Sequence, residues 1–177
     1  MADRGLTGVL LVGGESTRFG SPKALARLGG RTLAELAWET LAFCDERIAV
    51  GKVADALDLP FPVLDDGTDV RAPIAGVVAG LRAAANELTV VLPVDMPRVG
   101  AETIEQLAAA CVGDVAVPQS GPLPGAYRRS ALPALERALA AGTLALRDAV
   151  ASLEVAVVEI DAGALVNVNT PDDLVRA

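Results

Sequence analysis

Short, almost wholly apolar runs alternate along this chain with longer stretches whose apolar positions recur at helical spacing. The first run, LTGVLLVG from Leu6, reads as a strand buried on both faces. RTLAELAWETLAFC then sets Leu33, Leu36, Ala37, Leu41 and Cys44 on one helical face, and Thr32 with Glu35 forms a T-x-x-E capping box at its start. RIAVG and FPVLDD read as the second and third strands. APIAGVVAGLRAAAN reads as a helix that tolerates Pro73 in its first turn. ELTVVLPVD, DVAVPQ and EVAVVEI continue the strand series, with helices at AETIEQLAAAC, ALPALERALAAG and ALRDAV. The Gly-Pro-rich stretch SGPLPG is followed by AYRR, which the pattern leaves unassigned. A last helix starts at Pro171, with Thr170 as its N-cap and Asp173 three residues after the cap.

Alternating apolar strands and helices predict a mainly parallel sheet covered on both faces, a three-layer α/β/α, Rossmann-like fold. No repeat or linker interrupts the pattern, so residues 1–177 are expected to form a single domain. Ligands of such sheets bind beyond the carboxyl ends of the strands. Three segments fall there: the loop after the first strand, Asp65–Asp66 after the third, and Asp95 after TVVLPV.

Composition narrows the chemistry. At 52% hydrophobic and 3% aromatic, the core must be built from Ala, Val and Leu. A net charge of −8 argues against a nucleic-acid-binding surface, which depends on neutralising phosphates. It does not argue against one nucleotide held by a few local cations or Mg²⁺. No apolar run approaches the roughly 18 residues that span a bilayer, and the first residues carry no secretory-signal pattern, so a cytoplasmic location is the default expectation. The chain has no histidine, which removes Ser-His-Asp and Cys-His catalysis and His-ligated zinc. Cys44 and Cys111 have no metal-ligand spacing and read as small buried hydrophobes.

The loop GGESTRFGSPKAL, from Gly13 to Leu25, is neither a G-x-G-x-x-G dinucleotide fingerprint nor a Walker loop. Gly13 and Gly14 allow a tight turn and close approach to a ligand, and successive amides in such a turn can hold an anion. Arg18 offers a planar fork for a phosphate and Lys23 a point charge, with Ser16 and Thr17 as lesser donors. A plain glycine-rich connection with solvated cations would look the same from this loop alone. Asp95, in VDMP, is placed to hold Mg²⁺ beside substrate phosphates, or simply to start a turn. Asp65–Gly67 is a turn signal whatever else it does. Asn167 and Asn169 share one side of an extended segment, where they can meet a polar ligand.

Together these segments resemble the nucleotidyltransferases, most closely the molybdenum cofactor guanylyltransferase (MobA) family. Its L-A-G-G-x-S-x-R-x-G-x-D-K-A signature corresponds to the run from Leu11 to Ala24, and its G-P-L-A-G-[LI] to APIAGV, Ala72 to Val77. Its P-x-D-x-P is Pro93 to Pro97, and its N-x-N-T-P-[ED]-[ED]-L is NVNTPDDL. The resemblance implies a nucleotidyltransferase fold and transfer of GMP from GTP to the phosphate of molybdopterin, releasing pyrophosphate. By it, Leu11, Val12, Gly13 and Gly14 line the guanine and phosphate pocket, and Arg18 and Lys23 hold phosphates. Asp95 holds Mg²⁺, Asp66 helps read the guanine or supports the metal, and Gly76, Asn167 and Asn169 lie towards the acceptor. Transient contact with other proteins of the molybdenum-cofactor pathway is a further implication.

Three positions depart from the family pattern. Pro22 replaces an Asp, as in related cytidylyltransferases. Gly51 and Lys52 stand where the family carries a base-binding Asn. The helix near Leu146 keeps only Arg147 of the arginines that face the acceptor phosphate in the family. Cytidylyl transfer to molybdopterin, guanylyl transfer to another small phosphorylated acceptor, and nucleotide binding without turnover therefore stand as alternatives.

Overall fold

The computed structural model describes residues 5–13 and 22–176. In chain order it contains β1 (Leu6–Leu11), a small hairpin of β2 (Arg27–Leu28) and β3 (Arg31–Thr32), α1 (Leu33–Thr40), β4 (Glu46–Gly51), β5 (Val63–Asp65), α2 (Pro73–Ala83) and β6 (Leu88–Pro93). It continues through α3 (Ala101–Ala110), β7 (Val115–Pro118), β8 (Gly125–Arg128), α4 (Leu132–Ala140), α5 (Leu146–Val150), β9 (Val155–Val158) and α6 (Pro171–Arg176). Seven strands form one sheet in the order β5-β4-β1-β6-β8-β7-β9. All neighbours are parallel except those of β8, which runs antiparallel to both β6 and β7.

The apolar periodicities account for the layers. Successive side chains of a strand point to opposite faces. Along β1, Leu10 packs with α1 and α3, while Val9 and Leu11 pack with α2, α4 and α5. Each such side chain, once fully buried, contributes roughly 1.5–3 kcal/mol. The predicted capping box starts α1: Thr32 Oγ1 accepts from the Glu35 amide at 3.1 Å, and Glu35 accepts from the Thr32 amide at 2.7 Å. Thr170 and Asp173 make the matching exchange at α6. On α2, a Cβ at Gly76 would lie 2.8 Å from Leu11 Cδ2, and one at Gly80 2.7 Å from Val9 Cγ1. Only glycine lets α2 lie this close to β1.

All of AYRR but Arg129 belongs to β8, whose register sets Tyr127 opposite Thr89 and Val115. Tyr127 is fully buried; its hydroxyl donates to the Pro122 carbonyl at 2.6 Å, and burial raises its phenol above the ordinary range. No helix among the described residues is long and apolar enough to cross a membrane.

The connections also determine where a ligand can sit. From β1 the chain passes through α1 to β4 and β5 on one side, then through α2 to β6 on the other. The strand order therefore reverses at β1, and such a reversal opens a crevice at the carboxyl ends.

Candidate nucleotide cleft

A cleft of about 420 Å³ opens where the topology requires, above the ends of β1, β4, β5 and β6. Backbone hydrogen bonds carry the sheet past its strand ends and hold the cleft floor in register. The Val12 amide donates to Val50 O at 2.9 Å, Val94 to Leu11 O at 3.0 Å, and Asp66 to Gly51 O at 3.0 Å. Gly13 faces Gly51 so closely that a Cβ on Gly13 would lie 3.4 Å from the Gly51 Cα. The start of α2 forms one wall through Ala72, Pro73 and Gly76. Opposite it, the Val168 amide donates to Asp95 O at 2.8 Å and draws the NVNTP segment to the rim.

Two lysine–aspartate pairs line this cleft. Lys23 Nζ lies 3.2 Å from Asp95 Oδ2 and donates to Asn169 Oδ1 at 2.9 Å. These side chains are 17% and 26% exposed, so water reaches the pair. Lys52 Nζ lies 2.6 Å from Asp66 Oδ1 and also donates to the Thr68 carbonyl. This second pair is drier, at 11% and 8% exposure. Asp66 Oδ1 takes the Thr68 amide as well, at 3.1 Å. The neighbouring Asp65 serves the turn instead, accepting the Val53 and Gly67 amides at 2.8 Å each, and these bonds hold its carboxyl below the ordinary range.

Of the residues singled out from sequence, Leu11, Val12, Gly13, Lys23, Asp66, Gly76, Asp95 and Asn167 line the cleft. Asn169 joins it through Lys23. Gly14 and Arg18, with Ser16 and Thr17, lie outside the described residues. Arg147 is not among the lining residues; its Nη2 donates to Ser120 O at 3.4 Å. Lys52 is the addition that residue chemistry alone did not supply, because only the fold shows that it turns in towards Asp66. Arg71 also lines the cleft, held by Asp55 at 2.8 Å; no motif pointed to it.

The sequence profile of the MobA-like NTP transferase domain matches residues 8–157. The chain belongs to this family. Its relatives include a probable molybdenum cofactor guanylyltransferase of Chloroflexus aggregans, 35% identical, with 96% of this chain and 91% of the relative covered. A molybdenum cofactor guanylyltransferase of Cereibacter sphaeroides is also 35% identical, over 97% of this chain and 95% of its own. Among solved structures, the molybdopterin-guanine dinucleotide biosynthesis protein A of Archaeoglobus fulgidus superposes with a TM-score of 0.82 at 29% identity. That match covers 96% of this chain and 95% of the other. This chain therefore shares its overall fold with that protein along nearly its whole length.

Proposed function

We propose that this protein transfers GMP from GTP to the terminal phosphate of molybdopterin and releases pyrophosphate. The observation that carries the reading is nearly full-length similarity to proteins named molybdenum cofactor guanylyltransferase. The cleft supports it in chemical terms. An oxygen of the acceptor phosphate attacks the α-phosphorus, a new phosphoanhydride bond forms, and the bond to the β-phosphate breaks. The nucleophile is already an anion, so a chain without histidine loses nothing. What the protein must supply is alignment and charge neutralisation.

Lys23 supplies a cation at the phosphate end. In the free protein Asp95 neutralises it; with nucleotide present, its ammonium turns to the phosphates and the Asp95 carboxylate is released. Among the described residues, no group of three or more His, Cys, Asp or Glu could hold a metal ion. Mg²⁺ does not need one, since it binds through one or two carboxylates together with substrate phosphates and water. The chemistry at Asp95 fits, and Asp95 would hold it. Bound Mg²⁺ adds positive charge against the phosphates. Asn167 and Asn169 offer amide groups to the acceptor side.

Cytidylyl transfer is the second reading, favoured by Pro22. Pyrophosphate release with molybdopterin and Mg²⁺ separates the readings. We expect release with GTP that depends on the acceptor; faster release with CTP replaces guanylyl by cytidylyl transfer, and none with either nucleotide rejects the activity.

A further inference from the structure

The cleft continues past Asp95, away from Asp66. Asp66 follows β5 and Asp95 follows β6, and the next strand of the sheet is β8. The loop before β8 brings Leu123 to the cleft lining. In the antiparallel register Gly125 pairs with Val91. Leu123, two residues earlier, therefore comes level with Pro93, two residues before Asp95, and Pro93 lines the cleft as well. Leu123 is half-buried: it packs against the core cluster that holds Val9 and Leu11, and it also faces the cleft.

Side chains from three elements hold this loop. Gln119, just after β7, donates to Ile160 O at 2.7 Å and accepts from Ile160 N at 3.0 Å. Arg147 of α5 donates to Ser120 O. Tyr127 of β8, fully buried, donates to Pro122 O at 2.6 Å. The Pro122 carbonyl folds back so far over the start of β8 that a Cβ on Gly125 would lie 2.7 Å from it. That carbonyl belongs to the planar peptide unit leading into Leu123, so the Tyr127 hydroxyl sets the direction from which Leu123 enters the cleft. Leucine carries no polar atom and adds nothing to phosphate neutralisation. What it offers is an apolar surface that a ligand covers in place of water. With the triphosphate at Lys23 and Asp95 and the nucleoside towards Asp66, the end of the cleft at Leu123 is left for the acceptor. We propose that Leu123 contacts the organic body of the phosphorylated acceptor and selects for its apolar or flat surface, with Tyr127 as the positioning residue behind it. This rests on the nucleotidyl-transfer reading and deepens it.

The test is pyrophosphate release by the full-length protein with GTP, Mg²⁺ and molybdopterin, each substrate varied at saturation of the other, together with calorimetric Kd values for GTP. Leu123→Ala should raise the KM for molybdopterin at least about tenfold and leave the Kd for GTP within about twofold. Leu123→Met keeps an apolar side chain of similar volume and should hold the acceptor KM within about threefold. Leu123→Gln, similar in size but polar, should raise it as alanine does. Tyr127→Phe keeps the ring and removes only the bond to Pro122. A tyrosine that merely stabilised the fold would leave the acceptor KM unchanged in the folded variant, whereas a positioning residue raises it by about threefold or more with the GTP Kd unaltered. The Met and Gln variants carry the test even if Leu123→Ala fails to fold. An acceptor KM within about twofold of wild type in Leu123→Gln, or a loss confined to GTP, overturns the assignment of Leu123 and leaves the transfer activity standing. Unchanged acceptor kinetics in Tyr127→Phe overturns its positioning role. No acceptor-dependent release by the wild type overturns the transfer reading, and the assignment with it.

Discussion

Replacing Lys23 by alanine removes the only cation that the described structure sets against Asp95, and two consequences can be sized separately. In the free protein the ammonium makes an ion pair at 3.2 Å and a hydrogen bond to Asn169 at 2.9 Å. Asp95 is 26% exposed, so water replaces the lysine in the variant. The folding cost should stay near 1 kcal/mol, as for accessible pairs, and not reach the ~3–5 kcal/mol of a broken buried pair. In a chain of this size that lowers Tm by about 2–4 °C. Nucleotide binding is affected differently. A hydrogen bond from a cation to phosphate contributes about 1.5–3 kcal/mol. Lys23 must leave Asp95 and Asn169 to make it, so the net loss belongs at the lower limit, about 1.5 kcal/mol or roughly tenfold in Kd. Calorimetric titration of GTP with Mg²⁺ into both proteins measures this directly. A Kd within twofold of wild type, in a variant that melts as expected, would refute a phosphate role for Lys23.

Asp95→Asn should keep its Tm within a few degrees, yet GTP affinity should lose its dependence on Mg²⁺ and turnover should disappear; a titration with and without Mg²⁺ checks this. Tyr127→Phe removes the 2.6 Å bond to Pro122 and should cost about 1–1.5 kcal/mol, seen as a lower denaturation midpoint with unchanged slope. Burial, with a smaller contribution from Asp45, pushes the Cys44 thiol from 9.0 up to about 11, and burial likewise raises Cys111. Both should resist a disulfide reagent at about pH 8 in the folded protein and react once it is unfolded. The raised folded pKa favours the protonated thiol, so its contribution is intact below about pH 9 and is lost as pH rises towards 11. Cys44→Ala should therefore flatten the alkaline decline in stability over that window.

Local pattern was sufficient for the elements with strong periodicity. Thr32 with Glu35 and Thr170 with Asp173 start α1 and α6 as predicted, since a cap is decided within four residues. It was not sufficient for β8, where a glycine and arginines flank two apolar residues; pairing with β6 and β7 makes that segment a strand. The hairpin of β2 and β3 was hidden for the same reason, in the polar run RLGGRT. At the site, the strand-end rule located Asp66 and Asp95 because topology alone brings the strand ends together. It could not separate Asp65 from Asp66: these differ only in which face of β5's end they take, the turn or the cleft. Lys52 was visible as a departure from a motif, but its contact with Asp66 joins two strands and is not encoded in either segment alone.

The chemistry at stake is the movement of a nucleotidyl group, within this cleft, from a triphosphate to an acceptor phosphate. GTP labelled on its α-phosphate, incubated with the protein, Mg²⁺ and molybdopterin, tests it most directly. Label should appear in a product that contains both guanosine and the pterin, formed only when molybdopterin is present, with unlabelled pyrophosphate released in equal amount. Label remaining in GTP, or passing only to free GMP while GTP demonstrably binds, would contradict it.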